Sequence, residues 1–270
     1  MRNMHDHHLV TDVMNSESVR AGLILFPIII FMLYVGAVMR SNIHRKKWPM
    51  YRTLCMALGM ICIAVSVVGP LAEEAHVSFI AHMLSHLLLG MIAPLLIVMA
   101  HPLTLLLRTL SVSKARMLTS LLKMKFIHVL MNPFIAATLN IGGLWLLYTT
   151  DLYMLMHQYL WVFVFIHLHL FIAGYLFTAS ILSIDPTAPK HSYGYRSFIL
   201  VIALAGHGML SKFIYVNPPA GVPLKQAEDG SMLMYYGGDL VDLVLIFILC
   251  LQWYKAARPR PLPVPHKMNL

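Results

Sequence analysis

The chain has 270 residues, 59% of them hydrophobic and only 11% charged, against roughly 25% charged in an ordinary soluble domain. No soluble fold of this length hides so much apolar surface, and the apolar residues come in runs long enough to cross a bilayer core, which takes about 20 helical residues. The net charge of +9 lies almost wholly in loops beside one membrane face, where anionic lipid attracts it, so nucleic-acid binding is not supported.

In chain order, residues 1–20 (MRNMHDHHLVTDVMNSESVR) form a His-rich polar arm. The arm is too polar, and too long before the first apolar run, to be a secretory signal peptide, so that run is expected to be retained. Spans are predicted at Ala21 to Met39, Tyr51 to Leu71, Val77 to Ala100, Pro133 to Thr150, Gln158 to Ile181, Ser197 to Val216 and Gly238 to Trp253. The expected fold is an all-α integral membrane protein of seven transmembrane helices, with a membrane domain over residues 21–254. A basic, Pro-rich tail, residues 255–270, follows it.

Counting alternate loops orients the bundle. One face holds Arg40, Arg45, Lys46, Lys47 and Arg52; Arg108, Lys114, Arg116, Lys123 and Lys125; Lys190 and Arg196; and Lys255, Arg258, Arg260 and Lys267, which is 16 of the 20 basic residues. Acids divide the opposite way, with only Asp185 on the basic side. Because Lys and Arg are held on the cytoplasmic side, the N-terminus is expected outside and the C-terminus in the cytoplasm.

Within the connection at about 103–131, Leu118, Leu121, Leu122, Ile127 and Leu130 recur at helical spacing among basic residues. This predicts a basic amphipathic helix on the inner membrane surface, open to lipid or to a partner. Pro94 removes a backbone bond to Gly90 and predicts a kink below the histidines of the third span. The outer connection from Asn217 to Tyr236 carries Pro218, Pro219, Gly221 and Pro223 and is expected to be irregular. Cys55, Cys62 and Cys250 form no CxxC or CxxxC pair and read as small packing residues.

Ionisable groups inside spans are expensive and generally face the bundle interior. This chain places His82 and His86 in the third span, His167 and His169 in the fifth, His207 in the sixth, and Asp239 and Asp242 at the start of the seventh. His82 and His86 are four apart, the spacing by which two imidazoles grip one metal on one helix face, although two hydrogen-bonded interior histidines have the same spacing. At 1.5 Å per residue from the outer ends, His86, His167 and His207 lie ~13–14 Å deep, His169 ~17 Å, His82 ~7 Å and Asp242 ~6 Å. Histidines of three helices thus fall in one layer of the outer half. His167 and His169 point about 200° apart on a helix, so only one faces the layer directly.

Imidazole suits zinc, copper, iron and nickel, and thioethers select copper(I). The 20 methionines include Met4, Met14, Met83, Met154, Met156, Met232 and Met234 near the outer face, beside His5, His7, His8, His76 and His157. Flexible packing accounts for many of them. Asp239 and Asp242 either orient a ligating histidine or pair with Lys212. Glu73 and Glu74 read as solvated.

At this point the residues resemble a known family. The segment HMLSHLLLGMIAPLLIVMAHPLTLLLR resembles the hallmark of the CtaG family of cytochrome c oxidase assembly factors, seven-helix bacterial membrane proteins. HLHLFIAGYLFTASILSIDPTAPKHSYGYRSFIL and the histidine of AGHGML match it as well, and AEDGSMLMYY departs from it. The resemblance implies metal-site roles for His82, His86, His169, His207 and Asp239, with His169 matching better than His167. Asp242, Met83, His76 and His157 are secondary candidates. It further implies copper, as copper(I), with zinc as alternative; insertion into a haem-copper oxidase in the bacterial cell membrane; and oxidase subunits and an extracytoplasmic copper chaperone as partners. The role would be non-enzymatic. The alternatives are an intramembrane zinc hydrolase acting on a lipid amide and a haem-binding electron carrier using histidine pairs.

Overall fold

The computed structural model describes residues 16–184 and 190–258, all helix and connections with no strand among them. Met4, His5, His7, His8, Met14, Asp185, Arg260 and Lys267 lie outside the described residues. Six stretches are long and apolar enough to cross a membrane: Glu17–Ile43, Met50–Val67, Phe79–Thr109, Leu160–Leu182, Tyr193–Val216 and Leu224–Ala257. A shorter apolar stretch, Pro133–Thr149, has 17 residues.

Helix α1 (Glu17–His44) runs at the edge of the bundle and packs on α2 (Met50–Val67). Only 11% of the most apolar 18 residues of the first stretch are buried, against 67% of the most apolar 18 within Phe79–Thr109. The latter is therefore the centre of the molecule. After the short α3 (Pro70–Glu74), it comprises α4 (Phe79–Leu87), a π-helical turn (Leu88–Ile92) and α5 (Ala93–Met99). The Ser78 side chain caps α4 by accepting from Ala81 N at 3.4 Å.

The π turn is the form that the expected kink at Pro94 takes. Pro94 brings no N–H to the carbonyl of Gly90, and the chain widens just ahead of the ring. Space opened this way is used at once. Gly174 of α12 (Leu160–Leu182) packs so closely that a Cβ there would strike the Gly90 carbonyl oxygen.

Past α5 the chain turns at His101, in the left-handed region at φ 53°, and Pro102 opens α6 (Pro102–Thr109). Tyr34 donates to Ala100 O at 2.8 Å and accepts from Trp48 Nε1 at 3.0 Å. Trp48 lies between the guanidinium groups of Arg52 and Arg108, 4.7 and 5.0 Å from its ring centroid. The amphipathic helix predicted through Leu118, Leu121, Leu122, Ile127 and Leu130 is instead broken into α7 (Val112–Leu122) and α8 (Lys125–Leu130). Neither α7 nor α8 buries a residue, and Met117, Leu121, Phe126 and Val129 remain exposed among the lysines.

A second π turn (Thr138–Gly142) joins α9 (Pro133–Ala137) to α10 (Gly143–Thr149). The outer α11 (Leu152–Gln158) leads into α12, which ends at Ser183 with φ 44°. Arg196 of α13 (Tyr193–Val216) is buried against that end. Its Nη1 donates to Ile181 O at 2.8 Å and Leu182 O at 3.3 Å, and the ring of Tyr193 covers its guanidinium. A helix C-terminus has free carbonyls and partial negative charge, so Arg196 satisfies both needs. Arg196→Met is expected to cost about 2–3 kcal/mol, read as earlier thermal unfolding of the purified protein.

Helix α14 (Leu224–Ala257) corrects the expectation of a long irregular loop and a span opening at Gly238. Pro223 ends the loop, and the run LKQAE is made of strong helix formers. Lys225 pairs with Glu228 at 3.8 Å and Asp229 at 2.9 Å along the first turns. Gln226 Oε1 accepts from Phe79 N at 2.9 Å, tying this outer extension to the central helix.

Candidate functional site

The expected histidine layer is present, but the structure divides it into two tiers. The inner tier lies at the bundle centre, where α4, its π turn, α12, α13 and α14 meet. A cavity of about 20 Å³ there is lined by His86, Met91, Asn140, Thr178, His207 and Asp242, among others. That volume holds roughly one water-sized particle or one ion.

His86, His207 and Asp242 are only 3%, 3% and 4% exposed. Both ring nitrogens of His86 and Nε2 of His207 have no hydrogen-bond partner among the described residues. Buried polar atoms are nearly always paired, and three orphans from two rings on one small cavity call for an explanation. Gly238 sets the position of His207. A Cβ there would strike His207 Cε1 and come within 2.9 Å of Nδ1, so α14 approaches α13 closely only because this residue has no side chain.

Asp239 and Asp242 exchange their expected ranks. Asp242 faces the cavity and Asp239 is exposed, although it remains an electrostatic neighbour of His207. Neither acid pairs with Lys212, whose ammonium lies 5.4 Å from the Tyr235 ring centroid. Glu73 and Glu74 are exposed as expected, and Glu73 also forms a surface ion pair with Arg20 at 3.2 Å.

Sequence reading missed Met91, Asn140 and Thr178. In a regular α-helix Met91, five residues after His86, would turn to another face. The i→i+5 repeat of the π turn brings it back towards His86. Asn140 likewise sits in the second π turn. The detectable signals are Pro94, and a Gly-Gly pair at 142–143 beside that turn.

The outer tier contains His76, His82, His157 and His167. His82 Nε2 meets Tyr148 Oη at 3.0 Å, and its ring lies 5.2 Å from that of Tyr153. His76 and His157 line an open pocket of 230 Å³ with Met154 and Gln226 at the outer end. Burial and the neighbouring His157 push His76 below the usual imidazole range, which keeps it neutral near pH 7. His167 is an electrostatic neighbour of both His82 and His86.

His169 is not brought to either tier. Its Nε2–H donates to Leu139 O at 3.2 Å, and it lines an apolar groove beside α10. Met83 is fully buried in the core with Phe79 and Met234 and takes no part in the cavity lining. Cys55 and Cys62 are half-buried and Cys250 is exposed, all unbridged. Among the described residues, no three His, Cys, Asp or Glu side chains stand together closely enough to hold a metal ion. What the geometry offers is a set of imidazoles two at a time, supplemented by thioether and carboxylate.

A family model described as cytochrome c oxidase caa3 assembly factor (Caa3_CtaG) matches residues 32–256. An uncharacterized protein of Mycobacterium leprae (strain TN) is 26% identical over 242 residues, 82% of this chain and 37% of the relative. Uncharacterized proteins of Mycobacterium bovis and Mycobacterium tuberculosis are each 28% identical over 169 residues, 60% of this chain and 26% of the relative. The chain thus spans well under half the length of these curated relatives. No solved structure matches it significantly.

Proposed function

This chain belongs to the family of cytochrome c oxidase caa3 assembly factors, and from that premise we propose that it binds copper(I) as cargo in its central cavity and delivers it to a haem-copper oxidase during assembly. The observation that carries the reading is the cavity of about 20 Å³ lined by His86, His207 and Asp242, where both ring nitrogens of His86 and Nε2 of His207 have no hydrogen-bond partner among the described residues. One imidazole-seeking ion would satisfy both rings. Met91 tips the choice from zinc to copper(I), because thioether is a soft ligand.

The role we propose is non-enzymatic, in keeping with the description of the family as assembly factors. Loose coordination suits a carrier, since a closed cage of tight ligands would hold the cargo instead of releasing it. His86 and His207 would hold the ion, Asp242 would balance its charge, and Asn140 and Thr178 would complete the polar wall.

The proposed topology has seven crossings, with Pro133–Thr149 as the fourth, in the bacterial cell membrane. The basic connections and tail face the cytoplasm, so the pocket of His76 and His157 opens outward. An extracytoplasmic copper chaperone would load the protein from that side, and an oxidase subunit would receive the metal there. Helices α7 and α8, with exposed apolar residues among lysines, suit the surface of the inner leaflet.

Metal analysis of protein purified from membranes after copper(I) loading tests the site. His86→Ala and His207→Ala are each expected to lose one copper per chain relative to wild type. Undiminished copper in both variants would refute the cavity as the site. Deletion of the gene should then abolish oxidase activity, with recovery on adding copper.

A further inference from the structure

His76, His82, His157 and His167 lie outside the central cavity. His76 and His157 come from different connections, before α4 and at the end of α11, yet both line the outer pocket of 230 Å³. Their ring centroids are 6.3 Å apart, and His157 lies the same 6.3 Å from His82. Imidazole nitrogens hold a metal at about 2.0 Å, so two rings sharing one ion stand with centroids about 5 Å apart at a tetrahedral angle and about 6 Å apart when coordination is nearly linear. Both spacings match the nearly linear case.

The ring orientations agree. His157 Nδ1–H donates to Tyr153 O, and His167 Nδ1–H donates to Phe163 O, each at 2.9 Å. Metal-binding histidines are held this way, with one ring nitrogen donating to a carbonyl so that the tautomer is fixed and the other nitrogen carries the lone pair. Met154, 38% exposed at the same pocket, adds a thioether at its rim.

We propose that His76 and His157, with Met154, form a second, outer capture site for copper(I), from which His82 and His167 pass the ion inward to His86. The outer pocket offers a pair of imidazoles, and among the described residues no three His, Cys, Asp or Glu side chains stand together closely enough to hold a metal ion. An ion therefore changes partners by exchanging one ligand at a time and is never trapped. Ring spacings of 6.3 Å join His76 to His157 and His157 to His82, and His167 is an electrostatic neighbour of both His82 and His86. The inward direction of transfer rests on the proposed function of the cavity. The outer site itself rests only on its own residues.

The test is a titration of the full-length protein in detergent with copper(I) against a competing chelator, together with the rate at which the ions are taken up. Wild type is expected to bind two ions per chain. His76→Gln/His157→Gln is expected to keep the inner ion, which also reports an intact fold, while the outer ion weakens by at least about tenfold and uptake of the inner one slows. Both residues are only half-buried, so the change leaves no hole in the core. His157→Gln alone provides a milder variant with the same expected direction.

An outer double variant that still binds two ions at wild-type affinity and rate would overturn the capture site, whatever the cavity does. Conversely, if His86→Ala/His207→Ala keeps full stoichiometry and the outer variant loses an ion, the capture site stands and the central cavity loses its role. Two ions taken up at unequal rates, the slower one belonging to the cavity, would support the whole path.

Discussion

Gly174→Ala is expected to leave little folded protein in the membrane, a larger effect than any other single methyl group should have in this chain. The carbonyl of Gly90 has lost its helical donor to Pro94, and α12 approaches it at the one residue without a Cβ. A methyl group at position 174 would strike that carbonyl oxygen and lie 3.3 Å from Cγ of Pro94. Backbone and a proline ring have no alternative rotamer to move into, so one of the two central helices must shift. Overpacking of this kind costs about 3 kcal/mol or more. Gly36→Ala is the control: nothing lies within 4 Å of a Cβ there, and alanine favours a helix interior by about 0.5–1 kcal/mol. Thermal unfolding of the two purified variants should separate them widely, and similar melting temperatures would count against a tight Gly90–Gly174 contact.

His86→Leu should change stability in opposite senses with and without copper. The histidine ring leaves two nitrogens unsatisfied in a closed interior, and each such atom costs about 1–3 kcal/mol. Leucine has a similar volume and no polar atoms, so the metal-free variant is expected to melt above wild type. Added copper(I) at about a hundredfold over its dissociation constant should raise wild type by roughly 2.7 kcal/mol per site, and the variant should lack the share that belongs to the central cavity. A metal-free variant less stable than wild type would mean that both nitrogens do structural work, and the ligand role would then lose its main support.

Apolar runs made the helical architecture readable from the sequence, because in lipid every backbone polar group must be satisfied within its own segment. Where the chain leaves the apolar region that guide fails. The first turns of α14 were read as loop because Pro218, Pro219, Gly221 and Pro223 dominate the neighbourhood, and the good helix formers directly after Pro223 were outweighed. His86 and His207, which line the cavity, stand out in the sequence because a histidine deep in a span is conspicuous. Choosing between His167 and His169, or Asp239 and Asp242, was beyond periodicity, since each pair differs by helix rotation alone and rotation depends on the neighbours. Met91 was hidden for a sharper reason. Its position on the cavity depends on a local change of helix type, and a residue count that assumes 3.6 per turn sends it to another face.

Lengths within the bundle carry one more implication. At 1.5 Å per residue, the 34 residues of α14 extend about 51 Å, and the 17 residues of Pro133–Thr149 only about 25 Å. The hydrocarbon layer is about 30 Å thick. In the proposed arrangement the protein therefore has two hydrophobic heights, and lipid beside the short crossing must thin or tilt to meet it. The long crossing exceeds that hydrocarbon thickness with its polar first turns, Leu224 to Gly230, which extend past the apolar layer.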